Sequence, residues 1–287
     1  MNEHNDCFEE KEKNEERQSF VLTELKENGV GTLTINRPEK LNALSHVLVK
    51  DIISALHFFK KEKVRVMILK ANPRRTKNKE TGEKTVTWST GHDFNELPEG
   101  GRDPLGWKDP LVCLVREIKR APFPIIAMVE GGVFGGMCEV VFACSMVVAE
   151  EKATFAFTPA KWNVPYNMSG LATFMNDAGL HLLKEMICTA KPMKAFRFEK
   201  VGVINYVVPL CELEKKANEL AEDTAKNGPL SITAMLAELN IMAGSRTISL
   251  QDHDQIQGLR RNVYDSKDYV EAKKAFFEKR APVFKGE

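Results

Sequence analysis

A glycine-rich turn between an apolar strand and an apolar helix restricts the possible folds and functions of this chain more than any other segment. The turn lies within Val129 to Glu139, after an apolar run at 124–129 and before a second run from Gly136 to about Cys144. Glycine lets a backbone approach a ligand closely, and the first amides of a helix have no partners within the helix and lie at its positive end. The pattern predicts a site where backbone N–H groups hold a phosphate, a carboxylate or a developing oxyanion.

Composition is typical of one large globular domain. Of the 287 residues, 43% are hydrophobic and 28% are charged, and the formal net charge is +1. No global charge therefore favours nucleic acid or a membrane surface. The longest apolar stretch, 122–149, is interrupted by Glu130, Glu139 and several glycines, whereas a membrane span needs about 20 nearly uninterrupted apolar residues. We predict that the protein binds neither nucleic acid nor a membrane.

Cysteine usage and the N-terminal segment predict a cytoplasmic protein. No two of the six cysteines form a Cys-x-x-Cys pair, and several lie in apolar runs, which is typical of buried, reduced thiols. Residues 1–18 are rich in Glu, Lys and Asn and have almost no apolar side chains. We predict a disordered tail there, and its acidic residues argue against a mitochondrial targeting segment.

The strand and helix patterns predict an α/β fold. Two β-branched runs, 20–25 and 30–35, flank Asn28-Gly29 and predict a hairpin with a primed turn. Ser45 is predicted to cap a helix whose apolar residues share one face. Further strands are predicted at 64–69, 124–129, 145–149, 154–157 and 203–208, and further helices at 111–120, 136–144, 170–188, 193–201, 211–226, 229–243 and 255–280.

The order of these elements divides the chain into three parts. Strand-strand-helix units followed by helices alone predict an α/β core with a C-terminal helical region. We assign residues 1–18 to the tail, 19–210 to the core and 211–287 to the helical region. Residues 71–88 are polar and basic, and they are predicted to form a long solvated loop.

Glu139 is a candidate catalytic side chain on the helix that follows the glycine turn. It lies three residues after Gly136, so its side chain is predicted to share a helix face with the turn and to project over whatever the Gly136 amide binds. An ionisable residue in an apolar helix is a candidate for a shifted pKa. The alternative, which the sequence supports equally, is a structural carboxylate paired with a lysine or an arginine.

His92 and Tyr166 are two further candidates. The other five histidines show no ligand spacing relative to His92, so a metal site is not predicted. The His92 imidazole is a candidate general base, and the alternative is that only its backbone amide acts. The Tyr166 hydroxyl can donate a hydrogen bond to a carboxylate, although a lone tyrosine is more often ordinary core. The chain contains no nucleophile elbow, P-loop or dinucleotide-binding motif.

Taken together, these segments resemble the crotonase superfamily, also called the enoyl-CoA hydratase/isomerase family, over about residues 20–287. The resemblance rests on the order and spacing of four segments, at 36–45, 89–93, 129–139 and 275–280. Within the superfamily, three less generic segments are similar to the decarboxylases that act on methylmalonyl-CoA. These segments are 91–105, 164–167 and 256–266.

The resemblance implies a crotonase-like spiral of strand-strand-helix repeats that assembles as a trimer or a dimer of trimers through the C-terminal helices. It implies a coenzyme A thioester whose carbonyl oxygen lies between the backbone amides of His92 and Gly136. Tyr166 would orient the substrate carboxylate, and Glu139 would be a further catalytic group. The positions that would contact the acyl-CoA are Lys40, Ala43, Leu44, Thr90, Gly91, His92, Asp93, Phe94, Gly136, Thr158 and Lys279.

The reaction implied is decarboxylation of methylmalonyl-CoA to propionyl-CoA through a thioester enolate. Hydratases of this family carry a second catalytic glutamate near the position of Tyr166, and water addition requires both carboxylates. We expect no metal, no biotin and no other cofactor, since coenzyme A belongs to the substrate. The alternatives are an enoyl-CoA hydratase or isomerase, another acyl-CoA decarboxylase, and a non-catalytic CoA- or RNA-binding protein. Two departures from the close relatives are the longer 71–88 segment and Met137-Cys138.

Overall fold

The structure, a computed structural model, describes residues 19–77, 82, 84–97, 109–244 and 249–287. The predicted tail at 1–18 lies outside these residues. The strands are β1 (Val21–Leu25), β2 (Val30–Ile35), β3 (Val66–Ala71), β4 (Arg74–Lys77), β5 (Lys84–Ser89), β6 (Ile125–Val129), β7 (Gly132–Phe134), β8 (Met146–Glu150), β9 (Thr154–Ala156), β10 (Met193–Lys194) and β11 (Tyr206–Val208). The helices are α1 (His46–Lys61), α2 (Pro110–Lys119), α3 (Gly136–Phe142), α4 (Met168–Ala178), α5 (Leu180–Thr189), α6 (Ala195–Glu199), α7 (Leu210–Ala225), α8 (Pro229–Ala243), α9 (Leu250–Tyr264) and α10 (Lys267–Phe277).

The described strands form two sheets, which confirms the α/β prediction. One sheet has six strands in the order β1-β2-β3-β6-β8-β11, parallel except for the antiparallel β1. The other has five strands in the order β10-β9-β7-β5-β4, with a parallel centre and two antiparallel edge strands. A continuous apolar core joins both sheets to α1–α6, and α7 packs on the other face of the six-stranded sheet.

The first hairpin confirms the predicted strands but not the predicted turn. Leu25 pairs with Gly31, and the Lys26 N–H donates to the Val30 carbonyl at 3.0 Å. Three residues, 27–29, therefore lie between the hydrogen-bonded Lys26 and Val30, and among them Gly29 alone has a positive φ, of 81°. A primed turn would need a second positive φ, at Asn28. The turn is thus an ordinary one closed by a left-handed glycine.

The 71–88 segment was wrongly predicted as a loop. Part of it forms the antiparallel hairpin of β4 and β5, in which Arg74 pairs with Thr87 and Lys77 pairs with Lys84. All four residues of β4 are exposed. An edge strand of this kind needs no apolar face, and charged side chains are common on such edges. Its polar sequence therefore lacked the alternation by which strands are recognised.

Three predicted helices contain breaks. The 170–188 helix is divided at Gly179, whose φ is 75°, and the 193–201 helix begins with the short strand β10. The 255–280 helix is divided at Ser266, whose hydroxyl accepts a hydrogen bond from the Tyr269 N–H at 3.1 Å and so caps α10. Glycine in the left-handed region and serine at an N-cap are both ordinary helix boundaries.

The chain also changes sheet before the glycine-rich turn is complete. The strand predicted at 124–129 is β6 of the six-stranded sheet, but β7 of the five-stranded sheet lies between it and α3. The turn between them passes so close to β5 that a Cβ on Gly131, whose φ is 87°, would lie 2.5 Å from the Val86 carbonyl oxygen. The start of α3 is therefore positioned by the second sheet. None of the helices in the described ranges has both the length and the apolar content needed to cross a membrane.

Candidate active site

The first backbone amide of the predicted site lies just after β5. Leu44 donates its N–H to the Gly91 carbonyl at 2.7 Å and accepts from the Asp93 N–H at 3.0 Å. Residue 92 lies between these two bonds, as an isolated parallel bridge to Leu44. The Gly91 C=O and the His92 N–H belong to one trans peptide group, in which they point in opposite directions. Because the Gly91 carbonyl faces the Leu44 N–H, the His92 N–H is directed away from Leu44.

Buried polar side chains hold this segment in place. Asn42 is fully buried, and its amide donates to the carbonyls of Trp88 at 2.8 Å and Asn72 at 2.9 Å. Ser89 donates to the Asn42 carbonyl at 2.7 Å and accepts from the Gly91 N–H at 3.2 Å. Asn42 was not among the predicted functional residues, and its role here is to fix the backbone that carries His92.

The second amide belongs to Gly136, the first residue of α3. The helix has no side-chain cap at Gly135, whose φ is 55°. A Cβ on Gly91 would lie 2.8 Å from the Gly136 nitrogen and 2.4 Å from the Phe134 carbonyl oxygen. The segments that carry the two predicted amides are therefore in contact, and this contact requires glycine at position 91. The arrangement leaves an N-terminal helix amide at the surface of a cavity.

The cavity has a volume of about 600 Å³. The predicted residues that line it are Lys40, Ala43, Thr90, His92, Asp93, Phe94, Gly136, Thr158 and Tyr166. Four predicted residues are not part of its wall. Leu44 is fully buried in the core and Gly91 lies behind the His92 segment, whereas Lys279 is exposed beyond α10. Glu139 is also buried, behind Tyr166.

Three aromatic side chains, only one of which was predicted from the sequence, form another part of the cavity wall. Phe94 stacks on Phe276 with ring centroids 4.0 Å apart, and Trp162 makes edge contacts with both rings at 5.4 and 5.3 Å. Phe94 was predicted, and Phe276 lies in one of the segments that carried the family resemblance. Neither Phe276 nor Trp162 was assigned a role, because their approach depends on how α10 folds back over the core.

Tyr166 and Glu139 form a buried pair. The Tyr166 hydroxyl donates to Glu139 Oε2 at 2.7 Å, Glu139 has no exposed surface, and its Oε1 has no hydrogen-bond partner among the described residues. No lysine or arginine within the described ranges forms an ion pair with Glu139, so the alternative of a directly paired cation is wrong. The charge of Lys119 lowers the pKa of Glu139, but the Lys119 ammonium donates to Thr173 Oγ1 at 2.7 Å. The prediction that Glu139 itself projects over the Gly136 amide is also wrong, because Tyr166 provides the cavity surface.

Burial dominates the electrostatics of this pair. Burial raises the pKa of the Glu139 carboxyl to about 7, and the hydrogen bond from Tyr166 lowers it only in part. Burial and the adjacent Glu139 also raise the pKa of Tyr166 well above its ordinary value. A Cβ on Gly170 would lie 2.2 Å from Tyr166 Cε1 and 2.6 Å from Glu139 Oε2. Glycine at that position therefore lets α4 begin directly against the pair.

The His92 imidazole lines the cavity, and its Nδ1 has no partner among the described residues. The nearby Asp109 carboxylate accepts from the Leu111 N–H at 2.9 Å and so caps α2. Burial raises the pKa of Asp109, and electrostatic interaction with the neighbouring His92 acts in the opposite direction. Across the described part of the chain, no three His, Cys, Asp or Glu side chains are grouped so that they could hold a metal ion.

The chain is similar to known proteins over most of its length. The model of the enoyl-CoA hydratase/isomerase family matches residues 25–287. The chain is 41% identical over 259 residues to methylmalonyl-CoA decarboxylase of Escherichia coli (strain K12), covering 90% of this chain and 95% of that protein. It is 28% identical over 270 residues to a probable mitochondrial enoyl-CoA hydratase of Dictyostelium discoideum, covering 93% and 92%. A solved structure of methylmalonyl-CoA decarboxylase in complex with 2-nitronate-propionyl-CoA matches with a TM-score of 0.86 and 39% identity, covering 94% of this chain and 100% of that one.

Proposed function

The chain belongs to the enoyl-CoA hydratase/isomerase family and has its crotonase-like fold, and we propose that it decarboxylates methylmalonyl-CoA to propionyl-CoA. The observation that carries the proposal is the Tyr166–Glu139 pair beside Gly136. A hydratase needs two carboxylates as acid and base. Here the buried Glu139 is joined by a tyrosine hydroxyl at 2.7 Å. The 41% identity to a methylmalonyl-CoA decarboxylase supports the same choice.

The two backbone amides would stabilise the charge that develops in the reaction. Loss of carbon dioxide leaves the electron pair of the broken bond at C2, and the thioester delocalises it as an enolate. The N–H groups of His92 and Gly136 would donate to the enolate oxygen, and one such donor lowers the barrier by roughly 3–4 kcal/mol in other enzymes. Because the thioester itself accepts the electron pair, we propose that the reaction requires neither biotin nor a metal.

Tyr166 would orient the carboxylate that leaves. The bond that breaks must stand perpendicular to the thioester plane for the electron pair to delocalise, so holding the carboxylate in that position is orientation catalysis. A tyrosine hydroxyl has one proton to donate. With Glu139 ionised, Tyr166 donates that proton to Glu139. With Glu139 protonated, Glu139 can donate to Tyr166, and the tyrosine proton becomes available to the substrate carboxylate.

The apolar walls near Gly136 would favour the same step. A Cβ on Gly136 would lie 2.6 Å from Leu111 Cδ2, so Leu111 packs directly beside this amide, and Val164 lines the cavity near Tyr166. A carboxylate placed among apolar side chains loses much of its hydration, whereas carbon dioxide is neutral and the negative charge passes to the enolate oxygen, to which the two amides would donate. The environment therefore favours the departure of carbon dioxide.

The outer part of the cavity suits the coenzyme A moiety. Lys40 and Lys161 line it and would attract phosphate groups, and the rings of Phe94, Trp162 and Phe276 provide an apolar surface. We propose that Ala43, the 90–94 segment and Thr158 lie along this ligand, and that the protein is a cytoplasmic trimer or dimer of trimers.

The proposal is tested by incubating the purified protein with methylmalonyl-CoA and following the products by mass spectrometry. Stoichiometric propionyl-CoA and carbon dioxide are expected, and the rate should be unaffected by a chelator or by avidin. Crotonyl-CoA provides the comparison, because rapid loss of its enoyl absorbance with no turnover of methylmalonyl-CoA would replace the decarboxylase by a hydratase.

A further inference from the structure

Helix α9, in the C-terminal region, reaches the backbone that carries Tyr166. Arg260 Nη1 donates to the Tyr166 carbonyl and lies 3.4 Å from the Pro165 carbonyl oxygen. The Tyr264 hydroxyl donates to the same Pro165 carbonyl at 3.2 Å. One turn of α9 therefore contacts two successive carbonyls, 94 to 99 positions earlier in the chain.

These contacts lie in the interior. Arg260 is 5% exposed and Tyr264 is 1% exposed. A buried guanidinium is stable only where its N–H groups meet acceptors, and hydrogen bonds from a charged donor are stronger and more directional than neutral ones. The Asn163 amide also donates to Ser266 at 3.1 Å, at the start of α10. The segment before α4 is thus fixed from one side by the C-terminal helices.

We propose that Arg260 is a positioning residue for the Tyr166 hydroxyl. The kinetic part of this inference rests on the proposed decarboxylation. Arg260 holds the main chain of Tyr166 on one side, while Glu139 and the bulk of the core hold the ring on the other. A shift of the main chain would move the hydroxyl relative to both Glu139 and the cavity. Misplacement of a reacting group by about 1 Å can cost about 100-fold in rate.

The first experiment measures kcat and the affinity for propionyl-CoA in Arg260→Met. The exposed neighbour Arg261 on the same helix provides the matched control, Arg261→Met. Arg260→Met should lower kcat roughly 10- to 100-fold and change propionyl-CoA affinity by less than about 3-fold, whereas Arg261→Met should change neither. An unchanged kcat in Arg260→Met would overturn the proposal.

A double-mutant cycle separates positioning of Tyr166 from a general structural defect. If Arg260 acts through the tyrosine hydroxyl, Arg260→Met should have little further effect on kcat in a Tyr166→Phe background. An equal loss in both backgrounds would mean that Arg260 acts elsewhere. Should Arg260→Met fail to fold, Tyr264→Phe removes a single hydroxyl from the same contact. It should give a smaller loss of kcat, which must also disappear in the Tyr166→Phe background.

A measurement on the resting protein, which needs no turnover, tests the role of Arg260 separately from the proposed reaction. The chain has four tyrosines, so a protein labelled with 3-fluorotyrosine gives four fluorine resonances, and Tyr166→Phe identifies the one from Tyr166. Arg260→Met should shift or broaden that resonance, and Arg261→Met should not. An unmoved resonance overturns the role of Arg260 even in an active decarboxylase. A moved resonance in a protein inert toward methylmalonyl-CoA overturns the decarboxylase and leaves the positioning intact.

Discussion

Helices α3 and α8 are both rich in apolar residues, yet they differ completely in burial. Every residue of α3 is buried, whereas none of α8 is. In α8, Leu230 is 85% exposed and Ile241 is 72% exposed. Side-chain hydrogen bonds join α8 to the rest of the chain, for example from Thr233 to the Pro122 carbonyl at 2.6 Å. An apolar helix is therefore expected to be covered by other side chains. Its composition does not tell whether these belong to the same chain or to another one.

Helices α3 and α8 meet different structural requirements. The start of α3 must present an unpaired amide to a cavity, so its other faces are fixed by a complete core. Helix α8 presents apolar side chains to solvent, which is typical of a surface that another protein chain covers. The trimerisation role predicted for residues 211–287 fits this exposure and stays a prediction. Changes near α3 should therefore affect chemistry, and changes on α8 should affect assembly.

The largest effect is expected from Gly136→Pro. Proline has no N–H, so the substitution removes one of the two proposed enolate donors and should lower kcat roughly 100- to 1000-fold. Any Cβ at this position would also meet Leu111 Cδ2 at 2.6 Å. Gly136→Ala keeps the N–H but has the same clash, so the ratio of the two rates isolates the amide. Equal rates in the two folded variants, checked by circular dichroism, would contradict the proposed role.

Tyr166→Phe should have the next largest effect on turnover. It removes the hydroxyl that would orient the substrate carboxylate, and hydrogen bonds to charged groups contribute enough to lower kcat roughly 10- to 100-fold. Propionyl-CoA has no such carboxylate, so its dissociation constant should remain nearly unchanged. Steady-state kinetics and calorimetric titration provide the two measurements. Full turnover in the variant would remove Tyr166 from the reaction.

The pH dependence should report the charge of Glu139. Its pKa, raised by burial to about 7 from 4.5, means that the folded state holds the proton more tightly than the unfolded state. The contribution of Glu139 to the free energy of unfolding is therefore complete below pH 4.5. About 3 kcal/mol of it is lost as pH rises through 7. Urea unfolding at pH 5 and pH 8 should show this loss in the wild type.

Glu139→Gln provides the control for both stability and rate, because glutamine does not titrate. Its unfolding free energy should change less between pH 5 and pH 8 than that of the wild type. The wild-type kcat should fall as pH rises through about 7, since ionised Glu139 retains the Tyr166 proton. The Gln side chain can donate to Tyr166, so its kcat should not show this fall. Parallel pH–rate profiles would show that Glu139 does not control Tyr166.

The smallest effect on chemistry is expected from Ile241→Glu on α8. A charge in place of a 72% exposed apolar side chain should weaken association with other copies and leave the fold of one chain unchanged. Light scattering should show a lower molar mass, with circular dichroism unaltered. Lys60→Gln, on an exposed position of α1 outside the predicted trimerisation region, changes net charge equally and provides the control. A wild type that is itself monomeric would contradict the trimer prediction.

Local patterns along the chain were sufficient to predict the α/β class and most elements, and they predicted a backbone-amide site at the glycine-rich turn before α3. Ser45, for example, was predicted to cap α1, and its hydroxyl accepts from the Leu48 N–H at 3.2 Å. Such features depend on residues within one or two turns of each other, so their spacing along the chain is sufficient to reveal them. The family resemblance identified the cavity residues that no local pattern distinguishes, such as Ala43 and Thr158.

Which side chains meet depends on the packing of segments that are far apart along the chain. Glu139 lies 27 positions from Tyr166, and Arg260 lies 94 positions from it. The sequence left Glu139 open between catalysis and a cation partner, and neither alternative included a tyrosine. The partner of a buried polar group is whichever donor the completed core brings within reach, and the cost of leaving the group without one makes that choice decisive. Spacing along a chain does not contain this information, because packing brings together residues that are far apart in sequence.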